Sequence, residues 1–276
     1  MSCVLPHSTR QFAFNHADHV GSFLRPAAVH ESRKAFKEKA LDAEGFRKVE
    51  DVEILSLIEQ KGAVGIKSIS HGEFRREYFH LDFIEHLEGY KLCHDEETVP
   101  TISVVGKLKH VKPIRLADYL FLQERIDPSR EVVRVPIPSP TMVHFRGGRS
   151  SIDLTAYPNL DESFDDLAAA YREEIRIPAD AGCKFLQLDD TNLADLKMRE
   201  ASAGRGEDLN TLPRQYAQLI NAALRDRPAD MTVFTYGEGI SGAAISQRIT
   251  IADQWAKMKL VTEIASDVWG RPDARM

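Results

Sequence analysis

Three cysteines in 276 residues are too few, and odd in number, for a disulfide framework. Cys3, Cys93 and Cys183 lie far apart and form no C-x-x-C, so no cysteine-rich zinc knuckle is visible. This sparse usage fits a reducing cytoplasm. No stretch of eighteen apolar residues exists, which excludes a transmembrane helix from expectation. The opening MSCVLPHSTRQFAFNHADHV lacks the continuous apolar core of a signal peptide. A net charge of −6 and a pI near 5.9 give no overall attraction for nucleic acid or anionic membranes. Three motifs are also missing. No G-x-G-x-x-G follows a strand, no P-loop spacing occurs, and no G-x-S-x-G elbow appears. Dinucleotide binding, P-loop phosphate binding and serine hydrolysis therefore have no positive support.

What is present is an ordinary globular composition, 43% hydrophobic and 28% charged, in a length that suits one large α/β domain or two small ones. Short apolar runs alternate with amphipathic ones, and no repeat interrupts them. Residues 28–47 read as a charged, exposed helix. Residues 50–61 place Val52, Ile54, Leu55, Leu57 and Ile58 at the spacing of a helix with one buried face. Strands are predicted over residues 63–69, 101–108, 131–137, 184–188 and 231–236. Helices are predicted over 116–126, 209–224 and 251–268. The best-marked helix starts at Ser163, which with Asp166 resembles a capping box, and repeats Phe164, Leu167, Ala168, Tyr171 and Ile175. Pro178 should end or kink it. Strand–helix alternation of this kind points to a (β/α) barrel or a doubly wound sheet.

Polar signals recur where these strands should end. They are ADHVGSFLRP (residues 17–26), SHGEFRRE (70–77), PSPTMVHFRGGR (138–149) and LQLDDTN (186–192). Each has a bland reading beside a functional one. Gly21-Ser22 offers N–H groups and a hydroxyl to a carboxylate, or is only a turn. His71 and Glu73, two apart, suit an acid–base pair or metal ligation, but H-x-E is common by chance. Arg146 and Arg149 suit an anion site or a solvated basic loop. Asp189 and Asp190 end an apolar run, where charge costs desolvation unless something meets it; they are a ligand site or a loop pair. A barrel would bring all four segments to one rim, at the carboxyl ends of its strands, where such folds place their sites.

Taken in order, ADHVGSFLRP, HGEFRREYF, IPSPTMVHFRGGR, AGCKFLQLDDTNLADL and ADQWAKMKLVTEIASDVWG resemble the cobalamin-independent methionine synthase family. The likeness is to its shorter members, similar to the C-terminal catalytic half of the full enzyme. It implies a TIM-barrel-like α/β fold. It implies transfer of a methyl group from a methylated folate to the sulfur of homocysteine, with zinc holding the thiolate. By motif match, Ser22 would contact the amino-acid carboxylate. Glu73 and Asp189 would hold the ammonium group. His19, His71, Ser139, Thr141 and Asp190 would line the same mouth.

The pattern then breaks. The family's zinc ligands are a His-x-Cys, a Glu and a further Cys. Here MTVFTYGEG puts Tyr236 and Glu238 where the His and Cys belong, and phenol and carboxylate are poor substitutes in a thiolate-rich site. No cysteine follows Cys183. Relative to the family, a deletion is expected between about 239 and 251 within a single domain spanning 1–276, removing roughly two βα units of about 30 residues. An incomplete barrel of about six units would leave sheet edges open to pairing, so a homodimer is possible. Two functions stay open: a methyltransferase by descent, or a zinc-free relative that binds an amino acid or a partner.

Overall fold

The computed structural model describes residues 17–93, 101–145, 147–190, 200, 202–236 and 250–269. They fall into two compact units. One gathers residues 17–76, 122–133 and 250–269, and the other residues 77–121 and 134–236.

The first unit opens with two helices, α1 (Ala27–Lys37) and α2 (Ala43–Ala63). The single helix expected over 28–47 is thus divided. Lys39 takes a left-handed φ of 58°, and Asp42 then caps α2 by accepting from the Gly45 N–H at 2.7 Å. The helix expected over 50–61 is the later part of α2. Ile54, Leu57 and Ile58 form its buried stripe, while Val52 and Leu55 face outward. Strand β1 (Ser68–Ile69) is short and pairs in parallel with Val132 and Val133. Helix α8 (Ile251–Trp269) belongs here and brings Trp255 to stack on Phe23.

The second unit contains α3 (Leu81–Ile84), β2 (Leu87–Cys93) and β3 (Thr101–His110). β2 and β3 pair antiparallel, so the strand expected over 101–108 is half of a hairpin and not a parallel barrel strand. Its alternating burial permits this, since a half-exposed strand does not require helices on both faces. Helix α4 (Leu116–Gln123) leads to β4 (Val132–Pro138), which continues from its pairing with β1 into a parallel ladder with β5 (Phe185–Asp189). β5 pairs in parallel with β6 (Thr232–Tyr236). Four strands therefore pair in parallel among the described residues, against about six expected.

After β4 come the short helix α5 (Met142–Phe145) and a 3₁₀ turn at Gly148–Ser151. Helix α6 (Leu160–Asp180) starts three residues earlier than its sequence suggests. Asn159 is the cap and accepts from the Asp161 N–H at 3.0 Å, while Asp166 takes the Tyr157 hydroxyl. Pro178 lies two residues from the helix end. Phe164, Leu167, Ala168, Tyr171 and Ile175 form the buried face as expected, and α7 (Leu212–Leu224) packs along α6 through Leu212, Tyr216, Leu219 and Ala223.

Candidate functional site

In the first unit the loop after β1 is the most heavily braced stretch. Gly72 and Glu73 are both left-handed, with φ of 62° and 63°. Glycine takes this freely, and a Cβ on Gly72 would clash with Leu57 Cδ2. Glu73 takes it at a cost of order 1–3 kcal/mol, which surrounding contacts must impose. Those contacts are visible. Arg25 Nη2 donates to the carbonyls of Glu73 (3.1 Å) and Arg76 (2.6 Å). Arg33 Nη2 donates to the Phe74 carbonyl at 2.5 Å and meets Glu50 at 3.3 Å. The Phe23 N–H donates to the Gly72 carbonyl at 3.2 Å.

This bracing sets a buried carboxylate. Glu73 Oε2 accepts from Ser22 Oγ at 2.9 Å. The Glu73 N–H donates to His71 Nδ1 at 2.9 Å, so that ring nitrogen carries no proton. His19 lies nearby in sequence terms only through Asp18 and Phe23. Its N–H donates to Asp18 Oδ1 at 2.7 Å, Ser68 Oγ donates to the same oxygen, and its ring meets Phe23 edge-on at 4.2 Å. Ser22, His71 and Glu73 are thus joined directly, whereas the contacts of His19 run to Asp18 and Phe23. Lys61, which the sequence did not single out, is buried beneath, donating to the Ser68 carbonyl at 3.0 Å with Phe23 on its other side. A lysine on the apolar stripe of α2 was the signal for it.

In the second unit a second polar group forms where β4 and β5 end. The Ser139 N–H donates to the Asp189 carbonyl at 2.9 Å. Thr141 Oγ1 lies 3.0 Å from Ser139 Oγ and 3.1 Å from Asp190 Oδ1. Gln187 Nε2 donates to Asp189 Oδ1. Ser139, Thr141, Gln187 and Asp189 are buried, and Asp190 is half-buried. Behind Thr141, His144 Nδ1 pairs with the Tyr216 hydroxyl at 2.8 Å. Burial pushes the His144 pKa down to about 4, so it is neutral at physiological pH.

Arg149 is engaged otherwise than expected. Its guanidinium donates to the carbonyls of Ile152 (3.1 Å), Tyr157 and Pro158 (3.4 Å), bracing its own loop. Beside it, Gly148 packs against the Arg205–Glu207 pair, whose N–O distance is 3.0 Å. Arg146, Glu238 and almost all of residues 239–251 lie outside the described residues.

Among the described residues the zinc expected of the family finds no fitting donor set. Among the described residues no three His, Cys, Asp or Glu side chains converge as metal ligands. Cys183 precedes β5, at the strand end opposite Asp189. It donates to the Phe185 carbonyl at 3.6 Å, and burial raises its pKa to about 11, the wrong direction for a thiolate ligand. Cys93 sits on the hairpin, 3.5 Å from Ser103 Oγ. No histidine follows His144 in the sequence.

Parallel strands joined through helices, with carboxylates and hydroxyls at their carboxyl ends, define an α/β protein of the TIM-barrel-like class. The family can be stated more closely: residues 16–209 match the model described as "Cobalamin-independent synthase, Catalytic domain", and the chain belongs to that family. A relative in Bacillus subtilis (strain 168), the uncharacterized protein YxjH, is 37% identical over 229 residues, covering 79% of this chain and 59% of its own. YxjG of the same organism is 34% identical, covering 79% and 60%. The chain spans about three fifths of the length of these two relatives. The 5-methyltetrahydropteroyltriglutamate–homocysteine methyltransferase of Campylobacter jejuni subsp. doylei is 28% identical over 64% of this chain and 23% of its own. Among solved structures, a Listeria monocytogenes protein provisionally assigned as a vitamin-B12-independent methionine synthase superposes with a TM-score of 0.75. Its identity is 28%, with coverage of 92% of this chain and 98% of that one. Among the described residues no helix is long and apolar enough to cross a membrane.

Proposed function

We propose that this chain binds an α-amino acid of the homocysteine or methionine class and lacks, on its own residues, the zinc-activated thiol chemistry of methyl transfer. The observation that carries this reading is the Glu73 carboxylate: buried, imposed on a left-handed backbone, and met by Ser22 Oγ at 2.9 Å. A buried acid held this way suits an ammonium group, and the adjacent hydroxyl suits a ligand carboxylate. Asp189 is proposed as a further acid for the ammonium. His19, His71, Ser139, Thr141 and Asp190 are proposed as lining groups.

Family membership favours a second reading, a methyltransferase that uses methylated folate and homocysteine. The donor chemistry weighs against it. By motif match Tyr236 and Glu238 stand where the family has its nitrogen and thiolate ligands, and Cys183, the one buried thiol among the described residues, is held protonated.

Calorimetry of homocysteine and methionine separates the readings. Wild type is expected to bind either amino acid. A hydrogen bond to a charged group is worth about 1.5–3 kcal/mol, so Glu73→Gln should weaken binding by about ten-fold or more. Asp189→Asn, titrated in the same way, reads whether that acid takes part. No heat from wild type, or equal affinity in wild type and Glu73→Gln, would end the amino-acid reading. Turnover of methylated folate and homocysteine by the purified chain would establish the second.

A further inference from the structure

Gln187 stands in the middle of β5 and is 1% exposed. It is two residues before Asp189, so both side chains leave the same face of the strand. Leu186 and Leu188 leave the other. The amide nitrogen donates to Asp189 Oδ1. That contact settles which end of the amide is which, because a carboxylate accepts and cannot face the amide oxygen without repulsion. The oxygen, Oε1, is then the end of the amide that does not contact Asp189 Oδ1. It is buried and accepts no hydrogen bond from the described residues.

Buried acceptors without a donor are rare in folded proteins, and each calls for a partner. Backbone demands do not explain this one, because β5 is already paired on both sides, with β4 and β6. Nor does packing, since leucine or methionine would fill the position without stranding a polar atom. The surroundings are a group of acceptors and hydroxyls: Asp189 beside it, Ser139 and Thr141 at the adjoining strand end, Asp190 next along the chain.

We propose that Gln187 is a ligand-binding residue, its Oε1 and the Asp189 carboxylate forming a paired acceptor for a protonated primary amine. The proposal deepens the amino-acid reading above and rests on it. An ammonium group carries three N–H bonds. The carboxylate supplies the opposite charge and takes one of them. The amide oxygen takes a second without adding negative charge, which a second acid would do. The same arrangement disfavours amines with fewer N–H groups, and it gives no grip on a ligand that lacks the amine.

Two variants and an amine-free analogue test this. Methionine and 4-(methylthio)butanoate, which lacks the amine, are titrated into wild type, Gln187→Met and Gln187→Glu, with thermal melts to confirm folding. Gln187→Met should bind methionine about ten-fold more weakly, the cost of one hydrogen bond to a charged group. Its affinity for the amine-free acid should not change. Gln187→Glu keeps an acceptor oxygen in place and, at mildly acidic pH where its carboxyl and that of Asp189 share one proton and hold a single negative charge, should retain methionine binding. Unchanged methionine affinity in Gln187→Met overturns the proposal. Equal loss in both variants overturns it too, since that pattern marks a structural amide. If wild type takes no methionine, the amino-acid reading fails and a separate measurement decides this one: nitrogen-15 NMR of the Gln187 side-chain amide during titration with methylammonium. A saturable shift, absent in Asp189→Asn, supports an amine site for another ligand. No shift overturns it.

Discussion

Glu73 shows how a single residue separates folding from function. Its φ of 63° strains the backbone, and two arginines and an N–H from Phe23 hold the loop in place. Asparagine tolerates the left-handed region better than glutamate does. Glu73→Asn should therefore melt no earlier than wild type and yet lose amino-acid binding. A fall of several degrees in Tm would instead mark Glu73 as a structural residue. His144 makes a prediction of a different kind. Its pKa is about 4 when folded, against about 6.5 unfolded, because burial disfavours the charged ring. The unfolded chain thus binds the extra proton first as pH falls. The stabilisation from keeping His144 neutral is complete above pH about 6.5 and is lost as pH drops toward 4, amounting to about 3 kcal/mol. Urea unfolding across that window should show the loss. His144→Gln, neutral throughout and able to accept from Tyr216, should show a flatter profile.

At the scale of elements, Glu174 is the point where α6 secures the chain between β3 and α4. Its carboxylate accepts from His110 Nε2 (2.7 Å) and from the backbone N–H groups of Ile114 (2.9 Å) and Arg115 (2.8 Å). Glu174→Leu would strand those two N–H groups. It should lower stability by about 3 kcal/mol in urea unfolding, while Glu173→Leu on the exposed face of the same helix should cost little. The elements themselves were largely legible. Apolar spacing located α2, α6 and α7, and unbroken apolar runs located β4 and β5, because burial on one stripe or on both faces leaves a periodic mark. What was not legible has physical causes. Residues 38–42 carry no glycine or proline, so a left-handed Lys39 gave no sign of the break between α1 and α2. β2 was missed because LEGYKLC alternates weakly and draws its stability from β3, not from its own composition. In the candidate site, the acids at strand ends were readable as misplaced charges. Gln187 and the bracing Arg25 and Arg33 were not, since their roles depend on partners far away in sequence or on a ligand.

At the scale of the whole molecule, ancestry and donor chemistry point in different directions, and the thiols offer the sharpest measurement. The family match spans residues 16–209, and it ends before the segment MTVFTYGEG that carries Tyr236 and Glu238. A zinc site of the family's thiolate-rich kind would need deprotonated sulfur, and metal binding would then add stability of RT ln(1 + [L]/Kd), about 2.7 kcal/mol at a hundred-fold excess over Kd. Cys183 is 1% exposed, and burial raises its pKa to about 11. Two outcomes are expected together. Excess zinc should leave the Tm of the purified chain unchanged. Iodoacetamide near neutral pH should alkylate Cys183 only after denaturant is added, since the thiolate is the reactive form and the folded chain supplies almost none. A Tm raised by zinc, together with zinc-dependent protection of a thiol that reacts readily without it, would show that the chain assembles a metal site from residues other than those of the family pattern. Methyl transfer would then become the better account of the acids that this chain carries at its strand ends.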